Sequence, residues 1–213
     1  MTLRVIYICE GSSDLGLVPH IEQIAAQCDV EISVSAPDLS WLSAQPVGHS
    51  VADKLRATRK LSDKYNLAVL HRDADRDGVE ARRSEIGSAV ESEWPGLAHI
   101  PVIPVTMLEA WLLLDEDAIR QVAGNPRGKM NLSLPKAANV ERIADPKQRL
   151  KETLAKASGL TGRRLADFQK VQRFSKNRQR LMELLSHDGN VKNVPSWKGF
   201  VSELQQGLKA AAS

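Results

Sequence analysis

The sequence predicts an α/β protein with a four-stranded, mostly parallel sheet flanked by helices and a basic helical extension at its C-terminal end. Three observations carry this. β-rich apolar runs recur at 3–9, 30–34, 66–71 and 98–105. The segments between them place apolar residues at helical spacing. Strand and helix then alternate four times, as in a doubly wound sheet.

Each element has its own signal. LRVIYIC (3–9) is continuously apolar, as a strand buried on both faces must be. A helix over 14–28 gathers Leu17, Val18, Ile21, Ile24, Ala25 and Cys28 on one face, with Pro19 tolerated in its first turn. VEISV (30–34) is the second strand, and a polar loop with Pro37, Pro46 and Gly48 follows. A helix over 50–65 turns Val51, Leu55, Leu61 and Tyr65 inward. NLAVLH (66–71) is the third strand and runs into DADRDG, after which a helix over 78–93 buries Val79, Ile86 and Val90. AHIPVIPV (98–105) is the fourth strand, its prolines pointing to an irregular or edge position. A helix over 107–124 closes at Gly124. A soft boundary near 126 divides residues 1–126, the α/β domain, from 127–213, a basic helical extension or cap.

The chain has 213 residues, 42% hydrophobic and 26% charged, enough for one sizeable core with an appendage. No apolar run reaches the roughly 20 residues of a membrane span, and the N-terminus leads into Glu10 and Asp14 instead of a cleavage site. A cytoplasmic protein with two free thiols, Cys9 and Cys28, is expected. The net charge of +3 conceals a split. Residues 1–126 hold 11 Lys+Arg and 19 Asp+Glu; residues 127–213 hold 18 and 7. Clustered carboxylates suit a metal and a basic surface suits a polyanion, although charges also simply solvate a surface.

Three acidic groups fall at strand ends, where open parallel sheets bind ligands. Glu10-Gly-Ser-Ser-Asp14 follows the first strand, Asp73-Ala-Asp75-Arg-Asp77-Gly follows the third, and Glu109 follows the fourth. Alternating Asp73, Asp75 and Asp77 can aim several oxygens at one hard cation such as Mg²⁺. Asp and Gly are also ordinary turn and cap residues. An EF-hand is excluded, since its twelfth position would be Ser84. Phosphate binding by His71 and Arg72 competes with plain exposure. There is no Walker A loop, no GxGxxG, no CxxC pair and no catalytic triad spacing. In the basic half, Arg163, Arg164, Lys170, Arg173, Lys176, Arg178 and Arg180 fall within 18 residues beside one acid, Asp167. Leu165, Phe168, Val171, Leu181 and Leu184 interleave at helical spacing. A helix with a buried face and a positive outer face is expected, able to track nucleic-acid phosphates or to dock a partner.

An apolar strand followed by EGxxD, then another followed by DxDxDG, resembles the Toprim domain of topoisomerases, primases and nucleases of the overcoming-lysogenization-defect class. The resemblance covers about residues 3–114. It maps the family's Glu onto Glu10 and its paired Asp onto Asp73 and Asp75. PVIPVTMLEAWLLLDEDAI (101–119) and PSWKGFVSEL (195–204) further resemble standalone Toprim-like proteins known only as a domain of unknown function, some beside ATPases in bacterial defence loci. In that group the Glu before Ala-Trp, here Glu109, belongs to the site. The resemblance implies a Rossmann-like Toprim domain and a nuclease using Mg²⁺ or Mn²⁺. Glu10, Asp73 and Asp75 would be catalytic, with Asp14, Asp77 and Glu109 added as metal ligands. It also implies antiviral defence with nucleic acid and an ATPase as partners; a homo-oligomer is left open. The only tyrosines are Tyr7 and Tyr65, which favours hydrolysis over strand passage. The rival expectations are a non-catalytic scaffold subunit docking an ATPase and a phosphohydrolase of small nucleotides.

Overall fold

A computed structural model describes residues 2–39 and 47–213. Pro46 of the expected loop lies outside the described residues. Four parallel strands form one sheet in the order β2-β1-β3-β4: β1 (Leu3–Ile8), β2 (Ile32–Ser35), β3 (Leu67–His71) and β4 (Ala98–Val102). Val5 stands opposite Leu67, and Leu67 opposite Ala98. β4, the strand with the prolines, is at an edge. The strand order reverses between β1 and β3, which opens a crevice at their carboxyl ends.

The two-residue period of a strand divides the sheet's side chains between two apolar layers. Leu3, Val5, Tyr7, Leu67, Val69 and Val102 enter one; Ile6, Ile8, Ala68 and Leu70 enter the other. The second layer is closed by α2 (Val51–Leu61) and α3 (Val79–Glu93), through Val51, Leu55, Ile86 and Val90. The first is closed by α1 (Val18–Gln27) together with the C-terminal helices. Those helices are α4 (Glu109–Leu112), α5 (Glu116–Val122), α6 (Ala137–Val140), α7 (Pro146–Ser158), α8 (Gly162–Phe168), α9 (Val171–Leu184) and α10 (Pro195–Ala212). Leu154, Leu181, Trp197, Phe200 and Leu204 share one cluster with Leu3 and Val5, so a single core runs through both sides of position 126.

Several boundaries differ from expectation for local reasons. The segment expected as a helix over 14–28 begins as a 3-10 turn, Ser12–Leu17, before α1. The helix expected over 50–65 ends at Leu61, which is 49% exposed; Ser62 is extended and Tyr65 lies beyond the helix. The helix expected over 107–124 is two helices. The Asp115 carboxylate caps α5 by accepting from the Ala118 N–H (3.0 Å) and accepts from the Ser186 N–H as well (3.1 Å), so the backbone breaks there. The basic segment also breaks, at Gln169–Lys170, into α8 and α9. Cys9 and Cys28 are free thiols. Among the described residues no helix is long and apolar enough to cross a membrane.

Candidate functional site

The crevice between β1 and β3 is where the acidic residues meet. Glu10 leaves β1 on a backbone held by Lys54 of α2, whose ammonium donates to the Cys9 carbonyl (2.7 Å) and the Glu10 carbonyl (3.0 Å). Asp73 leaves β3 on a backbone that continues the ladder, with the Ala74 N–H donating to Pro104 and the Asp75 N–H to Thr106 (both 3.1 Å). One Glu10 oxygen accepts from the Asp73 N–H (3.3 Å) and pairs with Arg72 (2.8 Å). Burial and then the Asp73 charge raise the Glu10 pKa above its usual carboxylate value, against His71 and Arg72. Beside Glu10 a cleft of about 680 Å³ is lined by Cys9, Gly11, Ser12, Pro37, His49 and Lys54.

Behind this pair lies a buried chain of charges. Asp73 Oδ1 accepts from the Leu108 N–H (3.1 Å) and faces His71 Nε2 (3.1 Å). The other ring nitrogen of His71 faces Asp14 Oδ2 at 3.4 Å, an ion pair that falls short of hydrogen-bond geometry. Burial alone would push the His71 pKa down, but Asp14 and Asp73 together hold it up to about 10, so it stands as an imidazolium. Burial likewise works to raise the Asp14 pKa; His71 and Arg178 outweigh it and hold that carboxyl far below the usual range. Asp14 also accepts from the Gly11 N–H (2.9 Å), which closes the 3-10 turn.

Arg178 departs from expectation. Instead of lying on the outer face of its helix it is 8% exposed. Its Nε donates to Glu109 Oε1 (2.8 Å), and one terminal nitrogen donates to Ser13 Oγ (2.6 Å) and to Asp14. The cause is its helical phase: Phe174, Arg178, Leu181 and Met182 lie on one stripe of α9, and that stripe is buried. Gly16 lets this stripe come close, since a Cβ there would lie 2.5 Å from the Gln179 carbonyl oxygen.

The structure therefore brings Glu10, Asp14, Asp73 and Glu109 into one network with Arg72, His71 and Arg178. It does not bring in Asp75 or Asp77. Both are exposed; Asp75 has a positive φ of 46°, and Asp77 pairs with Arg82 at 2.7 Å. Among the described residues no three His, Cys, Asp or Glu side chains form a ready metal cage. The network carboxylates that solvent reaches, and that could hold a hard cation, are Glu10 and Asp73, since Mg²⁺ is commonly held by one or two carboxylates with waters and substrate phosphates completing its shell. His71, given two readings on sequence grounds, is fully buried as the bridge between Asp14 and Asp73. Its phase in β3, two residues past Val69 on the same face, was the signal for that.

Of the basic residues, Arg163, Arg164, Lys170, Arg173, Lys176 and Arg180 are exposed on α8, on α9 and at the junction between them. Lys170 pairs with Asp167 (2.6 Å) and Arg180 with Glu183 (2.9 Å). Arg163, Arg164 and Lys176 form no ion pair among the described residues.

The sequence model of DUF4276, a domain of unknown function, matches residues 9–205. The chain belongs to the DUF4276 family. The matched DUF4276 region contains every candidate residue from Glu10 to Arg180 and spans position 126 without interruption. No match was found among curated proteins or solved structures.

Proposed function

We propose that this DUF4276 protein is a divalent-metal-dependent nuclease of Toprim type, hydrolysing phosphodiester bonds in DNA or RNA. The observation that carries this is the meeting of Glu10 and Asp73, from two neighbouring strands, at the point where the sheet's strand order reverses. These two carboxylates would hold Mg²⁺ or Mn²⁺. The bound ion supplies charge neutralisation on the phosphate and acidifies a water. The chain's own groups do the rest. Leu108 N–H and His71 fix the Asp73 carboxylate, and Arg72 fixes that of Glu10. The Glu10 carboxylate, at the mouth of the cleft, would also orient the attacking water. The exposed cations of α8 and α9 hold the polyanion through its phosphates, without reading sequence. The cytoplasmic setting, defence role and ATPase partner belong to the same proposal.

A second reading has one observation in its favour. Glu10, Asp14, Asp73 and Glu109 each already face a cation of the chain, as in a scaffold whose charges are internally satisfied. On that reading the α8–α9 face docks an ATPase. Incubating the protein with plasmid DNA and with tRNA, in Mg²⁺, Mn²⁺ or EDTA, separates the two. Cleavage that needs metal and disappears in Asp73→Asn is the expected result. Cleavage that persists in EDTA or in Asp73→Asn would refute the metal assignment, and no cleavage under any condition would favour the scaffold.

A further inference from the structure

We infer that Arg178 stands where a second divalent cation would otherwise sit, so that the site takes one metal ion, on Glu10 and Asp73 alone. This rests on the proposed reading of that pair as the metal ligands.

Asp14 and Glu109 reach the interior from different elements, the 3-10 turn after β1 and the start of α4. Two carboxylates brought together away from water require a cation between them. A divalent ion is one solution and a cationic side chain is the other. Here a guanidinium reaches both, with Nε on Glu109 and a terminal nitrogen on Asp14 and Ser13. Arginine suits the place because it keeps its proton under all ordinary conditions and presents several donors in a fixed plane. A lysine could vacate such a site by deprotonating; Arg178 cannot.

Access separates the two carboxylate pairs independently. The side chains of Asp14 and Glu109 are each 3% exposed, beneath α9. Those of Glu10 and Asp73 are 29% and 11% exposed, and Glu10 lines the open cleft. An ion from solvent reaches the second pair without displacing anything from the core. To reach the first it would have to expel a buried arginine anchored on a helix that Gly16 holds close. The remaining oxygen of Glu109 is buried without a hydrogen-bond partner, so the one cation that reaches this carboxylate is Arg178 among the described residues.

The test is to count bound Mn²⁺ by equilibrium dialysis and to record its electron paramagnetic resonance spectrum. The wild-type chain is expected to hold one Mn²⁺ with an uncoupled signal, and to lose it in Asp73→Asn. Arg178→Gln is expected to hold two. Two spin-coupled ions in the wild type would overturn the inference and leave the Glu10–Asp73 reading standing. No ion in the wild type would overturn that reading and the inference with it. A folded Arg178→Gln chain, shown so by its circular dichroism melt, that still holds one ion would also overturn the inference. If that variant does not fold, the wild-type count decides.

Discussion

Replacing Gly16 by alanine tests how closely α9 must approach the 3-10 turn. The new methyl would meet the Gln179 carbonyl oxygen at 2.5 Å and Met182 Cβ at 2.7 Å. Relief to ordinary van der Waals separation requires α9 to withdraw by about 1 Å. Carried to Arg178, that movement stretches its 2.8 Å bond to Glu109 to about 3.8 Å, beyond hydrogen-bonding range. Overpacking of this kind costs about 1–3 kcal/mol. Complete loss of one partner from a buried ion pair costs about 3–5 kcal/mol, an upper limit here because both charges stay. The combined expectation is a loss of about 2–4 kcal/mol, or about 4–16 °C in Tm for a chain of this length. Urea denaturation should show the midpoint falling with the slope unchanged. Gly87, inside α3, faces open space, so Gly87→Ala should instead stabilise by about 0.5–1 kcal/mol. A Gly16→Ala protein within about 0.5 kcal/mol of wild type would refute the claim that this contact sets the position of Arg178.

Two further outcomes are expected. His71 has a folded pKa raised from 6.5 to about 10, so its stabilisation is complete below about pH 6.5 and is lost as pH rises through about 10. Asp14, held low, behaves in the opposite way: its contribution is present above the ordinary value of 3.8 and is lost as pH falls below it. Urea stability followed from pH 7 to 10.5 should fall more steeply in the wild type than in His71→Gln; parallel profiles would contradict the imidazolium. The triple variant Arg163→Gln, Arg173→Gln, Lys176→Gln should weaken nucleic-acid binding across sequences and reduce the slope of log affinity against log salt by about 3. An unchanged slope would remove α8 and α9 from the interface.

The sheet was legible because buried parallel strands leave continuous apolar runs, and the residues at the ends of the first and third runs were thereby placed together. Glu10 and Asp73 meet as their positions after those strands imply. Asp75 and Asp77 do not follow Asp73 inward, because the backbone turns at Asp75 with a positive φ that alternation along the sequence cannot foretell. Arg178 was misplaced because its charge was weighed and its helical phase was not; four residues after Phe174 and four before Met182, it sits on the apolar stripe. The division of the 107–124 segment depended on a side chain, Asp115, that caps its own helix and also binds Ser186, a tertiary contact with no local trace.

The sharing of one core between the first and last thirds of the chain bears on how the protein is made. On the ribosome β1, β3 and β4 emerge long before α9 and α10, which cover one face of the sheet and supply the counter-charge to Asp14 and Glu109. At roughly 5–20 residues per second, the 87 residues after position 126 take roughly 4–17 s to synthesise. For that interval one side of the sheet has only α1, α4 and α5 to cover it, and two buried-to-be carboxylates lack their arginine. Completion of this core thus waits on the synthesis of α9 and α10.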